Sequence, residues 1–229
     1  NPEIADNFEI GGKFNLLKGH LRLNAAVYFS KYDDLQIQQF VTNDPRFPPN
    51  NVITNAKGTE AKGAELELTA LPAQWLDLNL NYAYTHCTFT KSLVVDSNGT
   101  DIKGNTCRRA AKNAFNAGAR VHAPMGTGEG YAQVDYSWMG EYYFDNINTA
   151  VTKNDAEFTL NAAVGFTTAD RRWNFSLWGK NLTDEVYYPA TLPLVLNAVI
   201  GAGGTASANG YVGWYAPPRT YGIEAVIKF

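Results

Sequence analysis

An alternation of apolar residues with polar or small ones recurs nine times along the chain, and this period of two constrains the fold more than any other feature. Between residues 76 and 85 every second residue is leucine or tyrosine, and residues 158–167 repeat the pattern with Phe, Leu, Ala and Val. Successive side chains of a strand point to opposite faces, so this pattern predicts strands with one apolar face and one polar or small face.

The alternation predicts nine strands, with limits near residues 7–16, 21–40, 55–69, 76–85, 113–123, 130–142, 158–167, 173–182 and 218–229. Most exceed the roughly 5–6 residues of a usual globular strand and reach the roughly 9–11 that cross a bilayer at a tilt. Charged residues make up 18% of the chain, against about 25% in a typical soluble domain. No run of about 18 apolar residues predicts a transmembrane helix.

The connections between these strands alternate between short and long. The short ones fall near 17–20, 70–75, 124–129 and 168–172, and the long ones near 41–54, 90–112, 143–154 and 183–217. Outer-membrane β-barrels have tight turns on the periplasmic side and long loops outside. A soluble β-sandwich gives no reason for such an order, so we expect an all-β, antiparallel, up-and-down transmembrane barrel.

A barrel in hydrocarbon must close, because unpaired backbone N–H and C=O groups find no partner there. Nine strands make an open arc, so we expect the remaining strands upstream of Asn1 and the last strand to end at Phe229 on the periplasmic side. Aromatic residues near the predicted strand ends suggest two interfacial girdles. These residues are Trp75, Tyr131 and Trp173 near the short turns, and Tyr142, Phe144, Tyr187 and Tyr188 near the long loops.

Four strings in the chain resemble the TonB-dependent receptor family. They are Asn1-Pro2-Glu3 followed by Glu9-Ile10-Gly11-Gly12-Lys13, Asn55-Ala56 followed by Gly63-Ala64-Glu65-Leu66-Glu67, Asn181-Leu182-Thr183-Asp184 with Tyr187, and Arg219-Thr220-Tyr221-Gly222. The resemblance implies that residues 1–229 are the C-terminal portion of a 22-stranded barrel. The family's plug domain and TonB box are not in this sequence.

The last predicted strand has a further resemblance, to the C-terminal signal that the barrel-assembly machinery reads in outer-membrane proteins. Its residues are Tyr221, Ile223, Ile227 and Phe229. The alternative is an edge strand that happens to end in phenylalanine.

Cys87 and Cys107 are the only cysteines, and they flank one predicted external loop. An even count in an exported protein predicts a disulfide, with two free thiols as the alternative. Such a bridge would contribute about 3 kcal/mol in the chain-entropy model.

Candidate ligand-binding residues are two arginines at the base of that loop, one arginine on the predicted lumen face, and three loop aromatics. They are Arg108, Arg109, Arg120, Tyr143, Trp214 and Tyr215. The guanidinium groups would attract an anionic ligand such as a ferric catecholate or carboxylate. The alternatives are solvated loop charge for the arginines and mutual packing for the aromatics.

Other functional classes find little support. His20, His86 and His122 are too scattered for a metal or catalytic site, so we expect no enzyme, no bound metal and no cofactor. A net charge of −3 without a basic cluster gives no reason to expect nucleic acid.

The resemblance implies active uptake of a scarce nutrient, most often a ferric siderophore, with outer-membrane lipid, TonB with its inner-membrane energising complex, and the barrel-assembly machinery as partners. The alternatives are a passive porin-like or translocator barrel, or a TonB-dependent receptor for a non-iron solute such as cobalamin, a saccharide or an aromatic compound.

Overall fold

The computed structural model describes residues 1–41, 50–95, 99–200 and 204–229, with the backbone alone described for 39–41, 50–51, 192–200 and 204–211. Its strands are β1 (Ile4–Leu16), β2 (Leu21–Asp33), β3 (Leu35–Val41), β4 (Asn50–Ala56), β5 (Thr59–Ala73), β6 (Leu76–Phe89), β7 (Asn113–Met125), β8 (Gly128–Met139), β9 (Tyr142–Tyr143), β10 (Lys153–Asn154), β11 (Glu157–Thr168), β12 (Trp173–Lys180), β13 (Ala190–Ile200), β14 (Gly204–Trp214) and β15 (Thr220–Ile227). Two short 3-10 helices span Leu17–Gly19 and Ala150–Thr152. Among the described residues, no helix is long and apolar enough to cross a membrane.

Nine of these strands form one sheet in the order β1-β2-β5-β6-β7-β8-β11-β12-β15. Each strand pairs antiparallel with the next long strand along the chain. This confirms the predicted up-and-down, all-β architecture with nine long strands.

The long connections contain three further strand pairs that the alternation did not reveal: β3 with β4, β9 with β10, and β13 with β14. The prediction of one strand over 21–40 was wrong, because Asp34 takes a left-handed conformation (φ 58°) and separates β2 from β3. Leu35 and Ile37 resume the same odd-numbered apolar phase as Val27 and Phe29, so periodicity alone could not show the break. Parts of the predicted connections 41–54, 90–112 and 183–217 lie outside the described residues.

The register gives the sheet two chemically different faces. Along one row Leu23, Leu68 and Leu80 stand side by side, and in the adjacent row Asn24 lies beside Glu67, which lies beside Asn81. We call these the apolar face and the polar face. Large side chains on the apolar face are strongly exposed; Ile10, for example, is 74% exposed. A sheet that exposes such a surface fits hydrocarbon on that side and an aqueous lumen on the other.

The last strand carries the residues of the predicted assembly signal on the apolar face. Tyr221, Ile223 and Ile227 lie opposite Gly179, Leu177 and Trp173 of β12. Phe229 follows the end of β15 at Ile227 and is fully exposed.

Two residues predicted to belong to the interfacial girdles, Tyr131 and Tyr142, do not lie on the apolar face. Tyr131 pairs with His122 and Gly165 on the polar face, one residue out of phase with the apolar row, so it does not contact lipid. Tyr142 is only 6% exposed and packs within the loops against Phe144, with ring centroids 5.1 Å apart. Trp173 does lie on the apolar face, stacked on Phe175 at 5.8 Å.

An aromatic ring on the polar face covers a glycine of the neighbouring strand at three places. The directly opposed pairs are Tyr28 with Gly63, Tyr131 with Gly165, and Trp178 with Gly222. A β-carbon on any of these glycines would overlap the opposing ring. The glycines therefore let the rings lie flat on the sheet and cover its backbone.

Substitution of Gly165 by valine is expected to destabilise the barrel by about 1–3 kcal/mol, because the new side chain needs the space held by the Tyr131 ring. The penalty should shrink when Tyr131→Ala is already present. Urea unfolding of the four proteins of this double-mutant cycle measures the coupling. Equal penalties in both backgrounds would show that the ring is not what excludes a larger residue.

Candidate ligand-binding site at the long-loop end

Three connections at the long-loop end of the sheet share a small hydrophobic core. Its buried residues come from the β3–β4 hairpin, the last residue of β6 and the β6–β7 connection. They are Ile37, Ala56, Phe89, Val95 and Ile102, with Leu35, Leu93 and Ile147 packed against them. Ile102 has no exposed surface, and Ile147 belongs to the β8–β11 connection. We call the three packed connections the loop cap.

Cys87 and Cys107 form a disulfide at the base of the loop cap, with their Cα atoms 5.4 Å apart. Backbone bonding supports the pairing, since the Cys107 N–H donates to the Cys87 carbonyl at 3.1 Å. The bridge joins the end of β6 to the start of the segment that leads into β7.

Asparagine side chains tie the β6–β7 connection to the β8–β11 connection. The Asn105 amide donates to the carbonyls of Asn146 and Ile147, at 3.0 and 2.9 Å. Asn148 exchanges two hydrogen bonds with the Thr106 backbone. Such bonds replace the strand ladder that these irregular segments lack.

Burial in the long connections raises the pKa of the Tyr142 and Tyr187 phenols, and the effect is largest at Tyr142. The Tyr142 side chain is buried, which raises its pKa to about 12, and the nearby Glu157 carboxylate acts in the same direction. Tyr142 therefore stays neutral and packs as a core residue. The consecutive aromatic residues Tyr142-Tyr143-Phe144 are the sequence feature that could have indicated aromatic packing within this loop.

Arg109 links the β6–β7 connection to two other connections, β8–β11 and β12–β15. Its backbone N–H donates to the Tyr143 carbonyl at 2.7 Å, its guanidinium donates to the Pro189 carbonyl, and it lies 5.6 Å from the centroid of the Phe144 ring. These contacts satisfy part of its donor capacity, so the arginine holds the 183–189 segment against the loop cap.

Arg108 differs from its neighbour. Its backbone N–H donates to the Asn146 side chain at 3.2 Å, while its side chain is exposed. No ion pair engages its guanidinium within the described ranges. Both arginines are exposed, but only Arg109 has guanidinium contacts among the described residues.

Arg120 lies far from the other candidates. It sits on the polar face of β7 and covers the Tyr131 ring at 4.1 Å. Seven residues separate it from Asn113, where β7 begins at the loop end, so the distance along the strand is about 23 Å. The structure therefore does not bring Arg120 into one site with Arg108.

The aromatic candidates also separate. Tyr143 pairs with Lys153 and accepts the Arg109 backbone N–H. Trp214 and Tyr215 lie instead at the end of the β13–β14 hairpin. Tyr215 packs on Tyr188 with ring centroids 4.9 Å apart, and their hydroxyls lie 3.1 Å apart. Trp214 is 51% exposed and remains accessible.

The Asn-Leu-Thr-Asp string has a structural role. The buried Asn181 takes a left-handed conformation (φ 49°), its amide donates to the carbonyls of Glu185 and Pro217, and its side-chain oxygen accepts the Glu185 N–H. Asp184 accepts the backbone N–H of Arg219 at 2.9 Å. Together these bonds end β12 and fix the entry of β15.

No group of three or more histidine, cysteine or acidic side chains able to hold a metal ion occurs in the described part of the chain. The candidate residues therefore form two groups: exposed arginines at the loop cap, and accessible aromatic rings at the end of the β13–β14 hairpin.

Comparison with known proteins adds the family. The TonB dependent receptor-like β-barrel model matches residues 1–182, so the chain belongs to the TonB-dependent receptor β-barrel family. No curated protein sequence matches it significantly.

Solved structures agree on the fold. The ferric yersiniabactin uptake receptor FyuA from Yersinia pestis superposes with a TM-score of 0.73 at 20% identity, covering 99% of this chain and 30% of the receptor. The copper transporter OprC gives 0.70 at 16% identity, with 100% and 32% covered. The ferric-catecholate import receptor Fiu from E. coli gives 0.68 at 17% identity, with 100% and 28% covered. The chain thus spans about 30% of FyuA's length.

Substitution of Asn181 by alanine is expected to destabilise the barrel by about 2–4 kcal/mol, because three hydrogen bonds are lost and alanine is unfavourable at positive φ. Urea unfolding in lipid vesicles measures the change. Asn174→Ala is the matched control, since Asn174 lies on β12, the strand that ends just before Asn181, and makes one side-chain bond, to Thr167. Equal effects of the two substitutions would contradict the structural role of the motif.

Proposed function

We propose that the receptor containing this chain carries out TonB-dependent active uptake of a scarce nutrient across the outer membrane. The family match over residues 1–182 carries this proposal. The packed loop cap supports it, because a firm external surface can hold a ligand at defined contacts. TonB and its inner-membrane complex would supply the energy through a plug domain outside this sequence.

In this proposal the long connections face the exterior, and the short turns and the C-terminus face the periplasm. The short connections all lie at one end of the sheet and the long ones at the other, which supports this orientation. Tyr221, Ile223, Ile227 and Phe229 would then form the signal that the barrel-assembly machinery reads, since three of them line the apolar face of the last strand.

The cargo we propose is a ferric siderophore. FyuA and Fiu, which share the fold, are described as receptors for ferric yersiniabactin and for ferric catecholates. Arg108, Tyr143, Trp214 and Tyr215 would contact the ligand from the loop end, while Arg120 would act from the lumen. OprC is described as a copper transporter, which keeps a non-siderophore cargo as the second candidate.

Uptake measurements test the energy requirement. Cells producing the full receptor are expected to accumulate radioactive iron from a ferric siderophore only when TonB is present, and to bind the complex at the surface without it. A panel that includes haem, cobalamin and copper identifies the cargo. Accumulation that is equal with and without TonB would indicate a passive pore and overturn the proposal.

The role of Arg108 is tested by binding. Arg108→Ala should weaken the affinity for an anionic ferric complex by about tenfold, because one charge-assisted contact is lost. Lys103→Ala is the matched control, since Lys103 is also an exposed cation of the β6–β7 connection. Isothermal titration of the full receptor gives both values. Unchanged affinity in Arg108→Ala and in the double variant with Arg109→Ala would remove the arginines from the ligand site.

A further inference from the structure

The short-turn end of the sheet has an apolar groove of about 550 Å³. Its lining includes Val121, Ala132 and Val164 of the apolar face, with Trp75 and Met125 beside them. The intervening residues His122, Tyr131 and Gly165, whose parity is that of the polar face, also border it. Two small residues contribute to the depression: Gly130, over which the Met125 side chain lies, and Ala132. In a membrane this surface faces hydrocarbon, so the groove has the size and chemistry for part of an acyl chain.

Two arginines lie in the turn that follows β11, the strand that contributes Val164 to the groove. The β11–β12 turn contains Arg171 and Arg172, both exposed, and its backbone is tied to the β7–β8 turn by the Ala169 N–H donating to the Thr127 carbonyl at 2.8 Å. Lys228 adds a third cation beside this turn, because its backbone N–H donates to the Arg172 carbonyl at 2.9 Å. The turn's carboxylate, Asp170, is occupied by the Thr168 hydroxyl and the Arg172 N–H.

The spacing between groove and turn matches a lipid. Val164 lies four residues before Thr168, where β11 ends, which is about 13 Å along the strand. Half of a hydrocarbon core of about 30 Å is similar in length. A chain seated in the groove would therefore place its headgroup phosphate at the level of Arg171 and Arg172. Arginine binds phosphate through charge-assisted hydrogen bonds.

We propose that the groove and the β11–β12 turn form a binding site for one anionic phospholipid, in the leaflet at the short-turn end of the barrel. The acyl chain lies along Val121, Ala132 and Val164, and the guanidinium groups of Arg171 and Arg172 hold the phosphate. This site is separate from the loop cap and does not depend on which nutrient the receptor takes up.

Native mass spectrometry of the full receptor released from nanodiscs of phosphatidylethanolamine and phosphatidylglycerol tests the headgroup contacts. The unmodified receptor should retain phosphatidylglycerol with an enrichment of about fivefold or more over phosphatidylethanolamine. Arg171→Gln with Arg172→Gln should abolish that enrichment. Lys18→Gln is the matched control, because Lys18 also occupies a short turn with a left-handed backbone (φ 58°, against 57° for Arg171). The control should leave the enrichment unchanged.

A second pair of variants tests the groove. Ala132→Phe fills it and should lower the number of retained lipids, whereas Ala119→Phe, on the same face but outside the groove lining, should not. No enrichment in the unmodified receptor, an equal loss in Lys18→Gln, or full retention in Ala132→Phe would each overturn the proposal. The arginine variants decide the question alone if Ala132→Phe fails to fold.

Discussion

The backbone hydrogen-bond ladder is the constraint on which the rest of this structure depends. Hydrocarbon cannot pair with a free N–H or C=O group, so every strand that crosses it must be bonded on both sides. The nine-stranded sheet meets this requirement from β2 to β12 through antiparallel pairing, with a register shift between Ala70 and Ala73 beside the β5–β6 turn. The outer edges of β1 and β15 have no partner among the described strands, as expected for an arc of a larger barrel. The same constraint fixes the side chains, because an unbroken ladder holds alternate residues on opposite faces.

This constraint explains why the sheet could be predicted from sequence and the loops could not. Between Leu76 and Tyr84 the environment on each side of the sheet determines the residue type, so the period of two can be read from the sequence. No such rule acts on the connections. The break at Asp34 depends on one left-handed residue, and the loop cap depends on contacts such as Asn105 with Asn146, which join positions far apart in sequence. Tyr131 was assigned to a girdle by its position near a turn, although its parity already placed it on the polar face.

The candidate site shows the same division. Sequence reasoning selected Arg108 and Arg109 together because they are adjacent cations. Both are exposed, but the Arg109 guanidinium contacts the Pro189 carbonyl and the Phe144 ring, whereas that of Arg108 has no ion pair within the described ranges. The family string at Asn181 ends one strand and positions another, so its resemblance reports on barrel construction and not on cargo. In the proposed function, cargo selection would therefore depend on the exposed loop residues.

The central claim is that the apolar face contacts lipid and the polar face contacts an aqueous lumen. Spin labels placed singly at each position from 76 to 85 of the full receptor in vesicles test it most directly. The account predicts that collisions with oxygen, which concentrates in hydrocarbon, peak at Leu76, Leu78, Leu80, Tyr82 and Tyr84, while collisions with a water-soluble nickel chelate peak at the residues between them. A profile with no period of two, or with the opposite phase, would contradict the account.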